Sequence, residues 1–199
     1  MSKYEGQDHY LDPETGVLRN RLGITDAREL EQAEASFVAW RSYELSQKPM
    51  VGRFDLKHLQ AIHRHLFGDV YEWAGEIRDI DLAKGNAYFA HHTHIVSAAI
   101  PIFERLKKEG FLKGLDAAAF SARAAWYLGE INALHPFHEG NGRAQREFIN
   151  QLARANGYMI DWTAVAPARL LHASIASCHE GDTTQFAALI RDNLRQLST

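Results

Sequence analysis

The chain of 199 residues has one cysteine, Cys178. An intramolecular disulfide and a thiolate metal centre are therefore excluded. Neither sign of charge dominates, with 22 basic residues against 25 acidic ones and a formal net charge of −3. Such a surface has no global field to draw nucleic acid or an acidic membrane, so any anion site must be local. No apolar run approaches the ~20 residues of a membrane span. The opening Met1-Ser2-Lys3-Tyr4-Glu5 lacks the apolar stretch of a secretory signal. A cytoplasmic setting is expected, with no direct nucleic-acid or membrane binding; this is compatible with export as part of a longer effector. Repeats, low-complexity runs and linkers are missing too, so a single domain over 1–199 is expected. What is present, 46% hydrophobic and 24% charged residues, is enough to bury a core.

Pro13, Gly16 and Gly23 punctuate an irregular N-terminal arm over about 1–25, with Tyr10, Val17, Leu18 and Leu22 apolar enough to pack. Helical spacing follows over 28–45, with Leu30, Ala33, Phe37, Trp40 and Leu45 on one face behind an N-cap at Asp26. A second helix is predicted over 55–67 behind Asp55. The rhythm breaks over about 77–90, where Lys84-Gly85-Asn86 supplies turn chemistry for a short hairpin. Helices resume over 94–109, where Pro101 predicts a kink or late start, and over 116–134. The residue before Pro136 must leave the α region, so a helix ends at His135. Further helices are predicted from about Gly142 to Asn156, from Pro167, and over 183–196. The class is all-α with one hairpin.

Residues 135–146 hold the chemistry. Gly140-Asn141-Gly142 leads into a new helix, and glycines there let the backbone approach a ligand. The helix start supplies unpaired amides and about half a positive charge. Arg143 and Arg146 are three apart in its first turn, so both can reach one anion. Two guanidinium groups plus amides suit a polyphosphate. Glu139 is an oxygen donor suited to Mg²⁺ beside phosphate, and His135 can take a proton from a hydroxyl. Together they suggest phosphoryl or nucleotidyl transfer.

This segment, His135-Pro136-Phe137-x-Glu139-Gly140-Asn141-Gly142-Arg143-x-x-Arg146, resembles the signature of the Fic family at every fixed position. Tyr10–Leu18, Leu22-Gly23-Ile24 and Phe67–Gly75 look like flanking blocks of that family, so the likeness spans nearly the whole chain. The resemblance implies a Fic-fold helical bundle that moves AMP from ATP to a target protein's hydroxyl. His135 would be the base, Glu139 the Mg²⁺ ligand, and Gly140, Asn141 and Gly142 the anion hole. Arg143 and Arg146 would hold phosphates, and Phe137 would anchor the loop. The segment 77–90 would be the flap that clamps an extended target, through Ile80, Asp81, Leu82, Tyr88 and Phe89. Lys84, Gly85, Asn86 and Ala87 would border the nucleotide. The family's inhibitory pattern, [S/T]-x-x-x-E-[G/N], does not occur here. Its near misses are Thr25–Glu29 followed by Leu30, and Ser177–Gly181. The resemblance therefore implies a small antitoxin acting in trans on a toxin, with DNA gyrase B or topoisomerase IV as target.

Competing readings are another donor (a different nucleotide, CDP-choline, or ATP as phosphate donor) and an inactive Fic binding module. Elsewhere the structural reading is preferred. His91, His92 and His94 read as a solvated or target-facing loop rather than a metal site, and His63 and His65 as structural or exposed. Arg19 and Arg41 read as surface ion pairs, Trp40, Trp73 and Trp126 as core, and Lys107-Lys108-Glu109 as a solvated helix end.

Overall fold

The computed structural model describes residues 8–84 and 87–197. Among them are seven α-helices: α1 (Ala27–Gln47), α2 (Leu56–Phe67), α3 (Ile95–Lys108), α4 (Ala117–Leu134), α5 (Asn141–Arg154), α6 (Pro167–Glu180) and α7 (Thr184–Asn193). Strands β1 (Ala83–Lys84) and β2 (Ala87–Tyr88) pair antiparallel as the expected hairpin. No described helix is long and apolar enough to cross a membrane.

α4 is the central helix. Asp116 caps its start by accepting the Ala119 amide, and Phe120, Ala124, Tyr127, Leu128, Ile131 and Leu134 form a buried face, widened by Ser121, Ala125, Gly129 and Asn132. A helix with so wide a buried face needs neighbours on several sides, and α3, α5, α6 and α7 pack on it. Gly129 is required for one close approach, because a Cβ there would lie 2.6 Å from Cγ2 of Thr183. Asn132 ties α4 to α6 through the Ser174 carbonyl and the Ser177 hydroxyl.

Three expectations need correction. The C-terminal helix stops at Asn193, and Leu194–Gln196 form β4, paired antiparallel with β3 (Tyr158–Ile160). Pro101 lies inside α3, which begins at Ile95, so the helix does not start late at the proline. The buried stripe of α1 is Leu30, Glu34, Val38 and Leu45, so Phe37 and Trp40 face outward, Trp40 with 59% exposure. Apolar spacing alone misplaces this stripe because Glu34, a carboxylate, occupies a core position. The arm packs through Tyr10 and Val17 as expected, while Leu22 is exposed.

Candidate active site

α4 ends at His135, whose φ of 45° and ψ of 61° place a β-carbon-bearing residue in the left-handed region. Such a conformation costs of order 1–3 kcal/mol and persists only where surroundings impose it. Here the surroundings include Arg78, whose side chain is fully buried. Its Nε donates to the His135 carbonyl at 2.7 Å, Nη1 to Ile80 at 2.6 Å, and Nη2 to Ala90 at 2.5 Å and Leu134 at 3.4 Å. Its own amide donates to the Pro136 carbonyl, and the Ala90 amide to that of Ala133. One cation thus satisfies helix-end carbonyls that have no intrahelical donor, and joins both legs of the flap to the end of α4. Burial holds the Arg78 pKa below its usual value, offset in part by Asp81.

The loop beyond is fastened from three sides. Phe137 is wholly buried, its ring stacked on His63 at 3.8 Å between centroids. His63 Nδ1 accepts the Gly75 amide, so its Nε2 carries the proton that is donated to the Glu139 carbonyl at 2.8 Å. Burial pushes the His63 imidazole down to about 3, so it stays neutral. Asn141 spends its side chain on the backbone of Phe137, accepting its amide at 2.9 Å and donating to its carbonyl at 2.6 Å. From the arm, Asp8 reaches His138 at 2.9 Å, and Tyr10 stacks on the same imidazole.

Gly140 then starts α5 at φ +79°, with no room for a side chain. A Cβ there would lie 2.4 Å from the buried Phe67 ring. Gly142 leaves space for a guanidinium, since a Cβ would sit 3.2 Å from Nη1 of Arg146. A cavity of about 680 Å³ opens beside this helix start, lined by Glu139, Gly140, Gly142, Arg143, Arg146, Tyr71, part of the arm and the Leu30–Glu34 face of α1. Arg143 pairs with Glu34 at 2.6 Å and lies over the Phe67 ring. Glu34 also accepts the Tyr71 hydroxyl at 2.5 Å. Burial, with that carboxylate second, raises the Tyr71 pKa. Arg146 differs from its neighbour, having no ion pair or side-chain hydrogen bond among the described residues. Burial first, and Arg143 second, lower its pKa to about 10. A desolvated cation facing a cavity beside a helix start is chemically suited to an anion.

Glu139 is exposed, and one of its oxygens already accepts the Gly140 amide. On the other side of the loop the His135 ring stacks on Phe89 at 3.7 Å. Phe89 and Leu134 line a second open groove, of about 610 Å³, between the flap and α3.

The structure therefore brings Gly140, Gly142, Arg143 and Arg146 to one cavity. It turns the Asn141 side chain inward, leaving only its backbone amide to a ligand. Leu82 is buried, which removes its side chain from a docking surface, and Asp81 is engaged by His91 and His92. Gly85 and Asn86 lie outside the described residues, as do the side chains of Lys84, Ala87 and Tyr88. Arg41 forms the expected ion pairs, with Asp69 and Glu44. Sequence reading missed Glu34, Arg78 and the His63 support. A charged residue at a core-periodic position was the available signal for Glu34; for Arg78 there was none.

A helical bundle with a cationic cavity at a loop-to-helix junction is the class these features define. The Fic/DOC family model matches residues 53–153, and the chain belongs to that family. It is 53% identical over 199 residues to the protein adenylyltransferase VbhT of Bartonella schoenbuchensis, spanning 41% of that relative's length. It is 41% identical over 161 residues to a probable protein adenylyltransferase Fic of Escherichia coli, spanning 80% of it. Among solved structures, the N-terminal Fic domain of a VirB-translocated effector of Bartonella quintana with bound ADP matches with a TM-score of 0.90. That match has 29% identity and covers 95% of each chain. The effector BepC of Bartonella tribocorum with bound AMPPNP matches at 0.88, with 27% identity, over 95% of this chain and 97% of that one.

Proposed function

We propose that the chain transfers AMP from ATP to a hydroxyl side chain of a target protein. The observation that carries this reading is the uncompensated Arg146 guanidinium, set beside Arg143 and the helix amides in an open cavity. The triphosphate lies there, its terminal phosphate answering Arg146 and its inner phosphates the amides of Asn141 and Gly142. His135 accepts the target's hydroxyl proton, the oxygen bonds to the α-phosphorus, and the bond to pyrophosphate breaks. The proton passes to the imidazole and the negative charge leaves with pyrophosphate. The groove lined by Phe89 and Leu134 offers the target a docking surface next to the ring that stacks on His135. Glu139 suits Mg²⁺, as an exposed hard oxygen donor at the cavity edge. When bound, the ion would neutralise charge on phosphate oxygens.

We infer a partner from the same residues and a target from the family resemblance. Glu34 engages Arg143 and leaves Arg146 open. The [S/T]-x-x-x-E-[G/N] pattern is not found in these 199 residues. On this reading a small antitoxin supplies the inhibitory glutamate to Arg146. The target is a bacterial type II topoisomerase, DNA gyrase B or topoisomerase IV, as in the compact Fic toxins that the sequence resembles.

ATP labelled at the α or the γ phosphate, incubated with the protein and a bacterial lysate, separates the alternatives. Protein-bound label from the α position alone, lost in His135→Ala, is the expected result. Label from γ alone, or none from either, refutes AMP transfer. Recovery of no small partner from the native host counts against the antitoxin.

A further inference from the structure

The flap leaves the body of the protein near Asp81 and returns at His91-His92, and the fold brings these three side chains together. His91 Nε2 lies 3.0 Å from Asp81 Oδ2, and His92 Nδ1 lies 3.0 Å from Asp81 Oδ1. Their ligand atoms all lie within 4.8 Å of one another. Donor atoms around a four-coordinate zinc ion, with bonds of about 2.0–2.1 Å, stand roughly 3.3 Å apart. The present spacing needs little adjustment to admit one. Local structure already fixes the donors. The two imidazoles stack at 4.6 Å, the His92 amide donates to Asp81 Oδ1 at 2.8 Å, and His91 Nδ1 lies 2.8 Å from the Thr93 hydroxyl. His91 Nδ1 also accepts the Thr93 amide at 3.4 Å, so ligation through Nε2 moves the proton to Nδ1, which then donates to the Thr93 hydroxyl, a usual outer contact for a metal-bound histidine.

We infer that Asp81, His91 and His92 form a binding site for a divalent transition metal of the zinc type, closing the neck of the flap. Two imidazoles and one carboxylate select Zn²⁺, Co²⁺, Ni²⁺ or Cu²⁺ over Mg²⁺. The site is thus chemically distinct from the oxygen-only position at Glu139. All three residues are at least partly exposed, so an ion can reach them and waters can complete its coordination. Arg78 lies 3.8 Å from Asp81 Oδ1 and repels a cation. That keeps the affinity moderate and leaves Oδ2 as the better donor. A bound ion joins Asp81, two residues before β1, to His91 and His92 after β2, so it restrains the nine residues between Asp81 and His91. Metal binding here does not depend on nucleotide transfer.

The test uses untagged, chelator-treated protein titrated with Zn²⁺ by calorimetry and with Co²⁺ by absorption. One equivalent should bind with a roughly micromolar Kd, weakened about tenfold or more by Asp81→Asn and by His91→Gln. Neither side chain supports the core, so circular dichroism should be unchanged. Zn²⁺ should also slow hydrogen exchange in peptides covering 82–92 of the wild type, and Mg²⁺ should not. No saturable uptake below about 100 µM, or uptake untouched by both substitutions, overturns the site. Uptake without slower exchange overturns the restraint on the flap.

Discussion

Arg146→Met should make the nucleotide-free protein more stable while destroying its use of ATP. The guanidinium is partly buried and unpaired among the described residues, and its pKa falls from 12.5 to about 10. At about 1.4 kcal/mol per pH unit, that is roughly 3 kcal/mol held against the folded state. The sign follows from proton binding. The unfolded chain keeps this proton to a higher pH than the folded one, so the penalty is complete at neutral pH. It is relieved only as pH climbs through about 10 towards 12.5. Methionine keeps most of the apolar stem and discards the charge. Lost dispersion contacts offset part of the gain, leaving about 1–3 kcal/mol. For a chain of this size the melting temperature rises by about 3–10 °C. Thermal melts with and without ATP would measure this. Wild type should gain stability with ATP, and the variant should start higher and gain nothing. A variant that melts below wild type without nucleotide, or still shifts with ATP, would refute the description of Arg146 as an unanswered cation.

Gly140→Ala places a β-carbon 2.4 Å from the Phe67 ring in a left-handed backbone. Backbone strain of about 1–2 kcal/mol and overpacking of about 1–3 kcal/mol should together lower the melting temperature by ~5–15 °C. Adding Phe67→Leu should recover the steric part alone. Arg78→Met strips donors from four carbonyls. It should cost roughly 3–6 kcal/mol, with hydrogen exchange rising first at the flap and the end of α4. His63 is held neutral, with its pKa pushed to about 3, while the unfolded chain takes a proton near 6.5. Its contribution is therefore full above 6.5 and lost as pH falls towards 3. Denaturant midpoints between pH 7 and pH 4 should fall more steeply in wild type than in His63→Gln.

Local chemistry made much of this readable in advance. The caps at Asp26 and Asp55, the helix start at Asp116, Pro167 at a helix start and the break before Pro136 depend on neighbouring residues, and all proved to be boundaries. The spacing of Arg143 and Arg146 on a glycine-led helix likewise fixes their shared cavity, because helical geometry carries both side chains there. Short-range order could not show Trp40 facing outward, the inward turn of Asn141, or the strand at Leu194–Gln196, each of which depends on a distant surface. The same limit hid the meeting of Asp81 with His91 and His92, and the difference between Arg143, answered by Glu34, and Arg146, left open. The sequence by itself determined the parts of the site and their order along the chain. Only the tertiary structure decided which charges were neutralised, since that depends on burial and on partners distant in the chain, such as Arg143 and Glu34, 109 residues apart.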